Sequence, residues 1–173
     1  MTSHPYTEKA LVEQAAEEIL SALGWTTVSA SEESFGTAGT LGRETTREVV
    51  LVPRLRAALA KLNPSAPSSA LDLAIDDLLR DRTAMDLAAA NREIHRLITE
   101  GVKVTFKDPK TGKDEPVSLR VVDWESPENN DFLAVRQLTL KGPLYNCIPD
   151  VVLFVNGLPW VVIELKRPGV AVR

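Results

Sequence analysis

The sequence predicts an α/β fold in which N-terminal helices pack on a mixed, largely antiparallel sheet. Apolar residues recur at helical spacing through the first hundred residues, and from residue 102 they alternate or form short strand-like runs. The chain has 173 residues, of which 44% are hydrophobic and 25% charged, a composition typical of one globular domain with a core. We therefore expect a single domain over residues 1–173.

The first half of the chain is helical in pattern. Leu11, Ala15, Ile19 and Leu23 predict a first helix that ends at Gly24, and the Ser, Thr and Gly of residues 25–44 predict a loop. Three more helices are predicted from a leucine repeat before Asn63-Pro64 and from two capping boxes. Their markers are Leu51, Pro53, Leu55, Leu59 and Leu62, then Ser69 with Asp72, then Thr83 with Asp86, and finally Gly101.

The second half is extended in pattern. Residues 102–106 and 117–121 alternate around a polar loop and predict a hairpin. Residues 132–140 predict another strand, and residues 151–155 and 160–165 predict a second hairpin that turns around Asn156-Gly157. The sheet is therefore expected near the C-terminus.

Composition excludes several classes of protein. No apolar run approaches the ~20 residues that cross a bilayer, and the N-terminus does not resemble a secretory signal, so no membrane association is expected. One cysteine, Cys147, allows no internal disulfide and favours a reducing cytoplasm. The net charge of −4 argues against nucleic-acid binding by charge alone, but residues 134–173 hold five basic residues against two acidic ones. A polyanion would therefore approach this C-terminal part.

Three charged residues interrupt the apolar segment PDVVLFVNGLPWVVIELK: Asp150, Glu164 and Lys166. Burying such charges is costly unless they pair or bind an ion. Their order matches the PD-(D/E)xK pattern of Mg²⁺-dependent nucleases. Two carboxylates, with the Leu165 carbonyl as a further ligand, suit Mg²⁺, and Lys166 could orient or deprotonate a water or stabilise transition-state charge. The competing interpretation is a surface hairpin edge with a Glu–Lys ion pair.

Register provides a test of the nuclease interpretation. Residues directly opposite each other in an antiparallel hairpin share a face. A regular two-residue turn at Asn156-Gly157 would place Asp150 opposite Ile163 and put the two acids on different faces. A metal site formed by Asp150 and Glu164 therefore requires either a loop with an odd number of residues or a β-bulge.

Two further sets of polar residues are left open by the sequence. Glu8, Glu13 and Glu17 lie on the first helix, which in nucleases of this architecture can lend an acid to the site, but nothing in the sequence selects one of them. Gln137 and Asn130 are assigned structural hydrogen bonds rather than catalysis.

The amino-acid sequence of several segments resembles that of a known family. NNDFLAVRQLTLKG before PDVVLFVNGLPWVVIELKRP is similar to the N-terminal nuclease domain of the R, or restriction, subunit of type I restriction-modification enzymes. The segments GRETTREVVLVPRLRAALAKLNP, SALDLAIDDL and ANREIHRLITEGVKVTF extend the resemblance over most of the chain. It assigns the metal-binding acids to Asp150 and Glu164 and the catalytic lysine to Lys166. Where the family often has Arg two residues before the first acid, this chain has Ile148.

The resemblance implies a function and partners. It implies a Mg²⁺-dependent DNA endonuclease domain with a restriction-endonuclease-like core, truncated before the helix that carries the family's Gln-x-x-x-Tyr motif. No G-x-x-x-x-G-K-[ST] sequence is present, so ATP would bind only to a translocase in a longer parent chain. The expected partners are DNA and the methylation and specificity subunits. The alternative is a catalytically silent docking or structural module.

Overall fold

The computed structural model describes residues 8–142 and 144–166, which form two compact units. Of the described residues, the first unit combines 8–49 with 132–142 and 144–166, and the second comprises 50–131. The expectation of a single domain over residues 1–173 stays a prediction.

The described residues form four α-helices and eight strands. The helices are α1 (Glu8–Ala22), α2 (Val52–Leu62), α3 (Ser68–Leu79) and α4 (Leu87–Glu100). The strands are β1 (Thr26–Ser29), β2 (Val102–Lys107), β3 (Asp114–Leu119), β4 (Phe132–Arg136), β5 (Leu140–Lys141), β6 (Asn146–Cys147), β7 (Val151–Val155) and β8 (Leu158–Ile163). A short 3₁₀ turn spans Pro127–Asn129. The predicted α/β class is confirmed.

The first unit is built on a mixed four-stranded sheet of order β1-β4-β7-β8. β1 runs parallel to β4, whereas the β4–β7 and β7–β8 pairs are antiparallel. β7 is buried along its whole length because it lies between two strands, while β8 lies at the sheet edge in the described part of the chain. β5 and β6 form a separate two-stranded hairpin.

Helix α1 ends as predicted and packs on this sheet. Gly24 has a φ of 88°, its N–H donates to the Ser21 carbonyl, and the Trp25 N–H donates to the Leu20 carbonyl, which is a Schellman cap. Leu20 and Trp25 then pack on a buried cluster of strand side chains, with Ile163 and Leu165 from the end of the hairpin. The buried members are Ala134, Val151 and Leu153. The sheet end that carries the charged residues is thereby joined to α1.

The prediction of a loop over residues 25–44 is wrong at its start. Thr26–Ser29 forms β1, whose residues pair with Leu133–Arg136 of β4 more than a hundred positions away. The signal was short, since only three β-branched residues stand in a row. A parallel pairing at such sequence distance leaves no local turn to mark it.

A buried arginine connects the rest of that loop to other segments of the first unit through an ion pair and hydrogen bonds. Arg43 is fully buried and forms an ion pair with Glu33, whose side chain is 4% exposed. Its guanidinium donates to the Glu33 carboxylate through two nitrogens, to the Glu48 carbonyl at 2.9 Å and to the Thr139 carbonyl at 3.1 Å. It also lies 5.8 Å from the centre of the Phe35 ring. This one side chain therefore joins three stretches of backbone in the first unit.

The second unit contains α2, α3, α4 and the β2–β3 hairpin. Pro53 lies in the first turn of α2 and Asn63 caps its C-terminus, as predicted. The two predicted capping boxes are wrong in position. α3 begins after Pro67 with no side-chain cap, and α4 is capped by Asp86, whose carboxylate accepts the Ala89 N–H at 3.0 Å. An Asp at the N-cap satisfies a free helix N–H by itself and needs no Thr three residues earlier.

A buried aspartate organises the loop after β3 in the second unit. The Asp123 carboxylate accepts hydrogen bonds from the Asn129 side chain at 2.9 Å and from the Ser126 and Glu125 N–H groups at 3.1 and 3.2 Å. Arg120 lies 3.3 Å from it. The Asn129 amide, the Ser126 N–H and the Arg120 charge hold the pKa of Asp123 below its ordinary 3.8, against the opposing effect of burial.

None of the described helices is long and apolar enough to span a bilayer.

Candidate active site

The β7–β8 hairpin contains the β-bulge that the nuclease interpretation requires. Asn156 and Gly157 form a two-residue turn, with φ values of 53° and 78° that suit a type I′ hairpin. Next to the turn Phe154 faces Pro159, but one step further Leu153 faces Val161. Trp160 is therefore an extra residue in β8, as in a β-bulge.

The bulge resets the register at the far end of the hairpin. Val151 pairs with Ile163, so continuing that register by one residue places Asp150 opposite Glu164. Without the bulge Asp150 would face Ile163. The predicted condition for bringing the two acids to one face is confirmed, although the separation of their carboxylates stays a prediction.

Asp150 is held in place from both sides of its strand. The residue is 7% exposed, and its Oδ2 accepts the backbone N–H of Leu165 at 2.8 Å. Its carbonyl accepts the N–H of Gln137 at 3.1 Å, which extends the β4–β7 ladder by one step. A carboxylate has about four lone-pair positions and can in general accept an N–H and bind a cation at the same time. Asp150 is thus fixed at the junction of three sheet strands.

The hairpin places Glu164 and Lys166 differently from the sequence expectation. Both side chains are exposed, not buried, and Leu165 between them is half-buried against the α1-facing core. The sequence suggested burial because both strands are apolar, but Trp160, Val161 and Val162 of β8 are themselves 39–60% exposed. The reason is topological, since β8 has a neighbour on only one side within the described sheet. Lys166 is therefore not desolvated by the described residues.

The structure separates the glutamates of α1, which the sequence could not rank. Glu17 accepts from Thr27 Oγ1 at 3.0 Å and lies 3.1 Å from Arg136 Nη2, so a cation and a hydroxyl both bind it. Glu13, one turn earlier, accepts from Gln137 Nε2 at 3.0 Å. The only signal in the sequence was the four-residue spacing, which puts Glu13 and Glu17 on one helix face. The side chain of Glu8 lies outside the described residues.

The residue types at this end of the hairpin suit a hard divalent cation. Asp150 and Glu164 would supply carboxylate oxygens, and the Leu165 carbonyl would be a third oxygen of the kind that Mg²⁺ accepts. No three His, Cys, Asp or Glu side chains converge within the described ranges, so a cation bound here would depend on two acids, backbone oxygen and water. Mg²⁺ commonly keeps several water ligands and binds only one or two protein carboxylates, so two acids are compatible with its coordination.

Comparisons with known proteins identify the family of this chain. The family described as "Type I restriction enzyme R protein N terminus" matches residues 5–173. The chain is 36% identical over 163 residues to the Type I restriction enzyme HindI endonuclease subunit of Haemophilus influenzae, covering 91% of this chain and 15% of that protein. It is 27% identical over 164 residues to the Putative type I restriction enzyme MjaIXP endonuclease subunit of Methanocaldococcus jannaschii, covering 93% and 15%.

The matches cover nearly all of this chain but only a small part of each relative. The chain spans about 15% of the length of these relatives but is itself matched over more than nine tenths of its residues. A family match along nearly the whole chain, together with 36% identity to a named endonuclease subunit, is sufficient to assign the family. The chain belongs to the family of type I restriction enzyme R protein N-terminal regions.

Proposed function

We propose that this chain is the Mg²⁺-dependent DNA endonuclease module of a type I restriction enzyme, with Asp150, Glu164 and Lys166 as its catalytic residues. The observation that carries the proposal is the bulge at Trp160, which aligns Asp150 with Glu164 across the hairpin. A turn without a bulge would have separated them. The family supports the reaction class, because its named members are endonuclease subunits.

Each residue has a defined part in the proposed hydrolysis. Asp150 and Glu164 would hold Mg²⁺ with the Leu165 carbonyl, and the Leu165 N–H keeps the Asp150 carboxylate in place. When bound there, Mg²⁺ would neutralise phosphate charge and lower the pKa of a coordinated water. Lys166 would orient the attacking water through its ammonium group, or stabilise the added negative charge as the phosphorus–oxygen bond to the leaving group breaks. Exposure of Glu164 and Lys166 leaves this end of the hairpin accessible to a DNA backbone.

The larger assembly is part of the same proposal. The relatives are several times longer than this chain, and we place an ATP-driven translocase in the remainder of such a parent. Cleavage of unmodified DNA would then follow translocation, with methylation and specificity subunits as partners. An exposed free thiol at Cys147 fits a reducing compartment, so we place the protein in the cytoplasm.

The test is cleavage of supercoiled DNA by the complete enzyme. Asp150→Asn removes the charge but keeps an oxygen that can accept the Leu165 N–H, so the fold is retained. We expect at least about a 10²-fold loss of cleavage from Asp150→Asn and from Lys166→Met, comparable to removing one preorganised electrostatic group. ATP hydrolysis should persist in both variants.

The matched control is Lys141→Met, which removes the same charge from an exposed position in β5. It should cleave within about fivefold of the unchanged enzyme, as expected for an exposed charge worth less than about 1 kcal/mol. Undiminished cleavage by Asp150→Asn would refute the site assignment and leave a docking or structural role for this module.

A further inference from the structure

The solvent-facing side of α4 carries two arginines that no acid of its unit pairs with. Of the seven arginines in residues 50–131, all of which the structure describes, five form ion pairs. The pairs are Arg54 with Asp131, Arg56 with Asp72, Arg80 and Arg82 with Glu93, and Arg120 with Asp123. Arg92 and Arg96 form no ion pair in this fully described stretch, and both are exposed. The second unit therefore presents two unpaired cations on one helix.

Helical spacing places these two cations on one face. Arg92 and Arg96 are four residues apart, and His95 follows Arg92 by three, so their side chains are neighbours on the helix surface. The exposed residues of this face are Asn91, Arg92, His95, Arg96 and Thr99. Each of them carries a side-chain N–H or O–H, and none is acidic. We call these five residues the basic face of α4.

The acids of α4 do not neutralise the basic face. The Glu93 carboxylate accepts from the Arg82 guanidinium at 3.0 and 3.2 Å and from Arg80, so it is bound to the segment before the helix. Glu100 is exposed and follows Arg96 by four residues, but the two form no ion pair. An acid placed after the base at this spacing is the weaker order of a helical ion pair. The charge of the basic face is therefore available to a partner.

The attraction for an anionic partner is local to this face. The second unit as a whole holds fourteen acidic and twelve basic residues, so its net charge does not attract a polyanion. Two like charges one turn apart are mildly destabilising to a helix by themselves. A polyanion bound along the face would offset this repulsion, because both arginines would then face negative charge.

We propose that the basic face of α4 contacts the sugar–phosphate backbone of duplex DNA without reading its sequence. The inference rests on the proposed function, which supplies DNA as the partner. Arg92 and Arg96 lie about 6 Å apart along the helix axis, at ~1.5 Å per residue. A DNA strand carries one phosphate per ~3.4 Å of its axis, so the two guanidinium groups can contact two phosphates of one strand. Such contacts fix the position of a duplex and are independent of its bases.

The salt dependence of DNA binding by the purified chain tests the inference. A fluorescently labelled duplex is titrated without Mg²⁺ at several salt concentrations, and its anisotropy gives the dissociation constant. Each phosphate contact contributes about 0.9 to the slope of log affinity against log salt concentration. Arg92→Gln and Arg96→Gln should each reduce that slope by about 0.9 and weaken binding roughly tenfold at about 50 mM salt. The loss should be the same for duplexes of different sequence.

Two matched variants separate a phosphate contact from a general loss of charge. Arg56→Gln removes the same charge from an exposed helical position, but that guanidinium is paired with Asp72, so the slope should not change. Arg92→Lys keeps a positive charge that can bind a phosphate, and it should retain the slope. Gln has a helix propensity close to that of Arg, so the substitutions leave α4 intact.

The inference is overturned if neither Arg92→Gln nor Arg96→Gln changes the slope, or if Arg56→Gln changes it equally. Failure of the unchanged chain to bind the duplex at about 50 mM salt would also overturn it. An unchanged slope together with lost subunit assembly in the complete enzyme would assign the basic face to a protein partner instead. The binding measurement contains no Mg²⁺ and is independent of the nuclease site. Normal cleavage by Asp150→Asn would therefore refute the proposed function, whereas the slope reports on α4 alone.

Discussion

Removing the buried Arg43 side chain should destabilise the first unit more than removing a charged side chain from the surface does. Arg43→Met keeps an apolar side chain of similar length but leaves the Glu33 carboxylate, 4% exposed, without its cation. It also deprives the Glu48 and Thr139 carbonyls of donors at 2.9 and 3.1 Å. Breaking one side of a buried ion pair costs about 3–5 kcal/mol. That is a large fraction of the ~5–15 kcal/mol that holds a domain folded.

A second substitution tests whether the charge causes this loss. In Arg43→Met with Glu33→Met, no uncompensated charge is buried, and the remaining cost is that of the two carbonyls, up to about 1–3 kcal/mol for each, which the single variant also bears. The double variant should therefore be more stable than the single one. The control is Arg56→Met, which breaks an ion pair with Asp72 whose side chains are 46% and 52% exposed and should cost less than about 1 kcal/mol.

Urea unfolding of the purified chain, followed by circular dichroism, measures these free energies of unfolding. The reasoning is refuted if Arg43→Met costs no more than Arg56→Met, or if adding Glu33→Met makes the single variant still less stable.

Two further predictions concern the second unit. Gly101→Ala should lower the free energy of unfolding in urea by more than about 2 kcal/mol, because φ is 87° and a Cβ would lie 2.6 Å from the Leu119 carbonyl oxygen. The control Gly112→Ala also has a positive φ but has open space around it, so it should cost only about 1–2 kcal/mol. Equal costs of the two substitutions would contradict this reasoning. Asp123→Asn should lower the urea midpoint at pH 7, and the deficit should shrink as pH falls below about 4. The pKa of Asp123 is lowered in the fold, so its stabilisation is present above the unfolded pKa and is lost as pH falls through the folded one. A deficit that does not change with pH would show that the charge is not responsible.

The sequence predicts elements well where the signal is local. The leucine spacing and Asn63 mark α2, and Gly24 marks the end of α1, because caps and periodicity act within a few residues. β1 was missed because its partner is a distant parallel strand. The starts of α3 and α4 were misplaced because several polar residues near each start could act as the cap, and only the backbone path selects Asp86.

The sequence nominates the residues of the candidate site but does not predict their environment. Residue type and parity of register pointed to Asp150 and Glu164 and to the need for a bulge, which is present at Trp160. Exposure of Glu164 depends on which strand ends the described sheet, and strand order is not a property of one segment. The left-handed φ of Gln137 and the contact of its side chain with α1 leave no pattern in the sequence.

The extra residue in β8 also sets how the hairpin can change in length. Deleting Trp160 would leave two arms of equal length around Asn156-Gly157, and every pair from Val151 with Ile163 to the turn would survive. Deleting a residue of β7 would instead turn Asp150 to the opposite face. The two arms should therefore differ in their tolerance of deletions. β8 can lose its bulge residue without a change of register, whereas β7 cannot lose any residue. The number of residues between the two acids can accordingly differ among functional proteins, provided that the arm before the turn keeps its length.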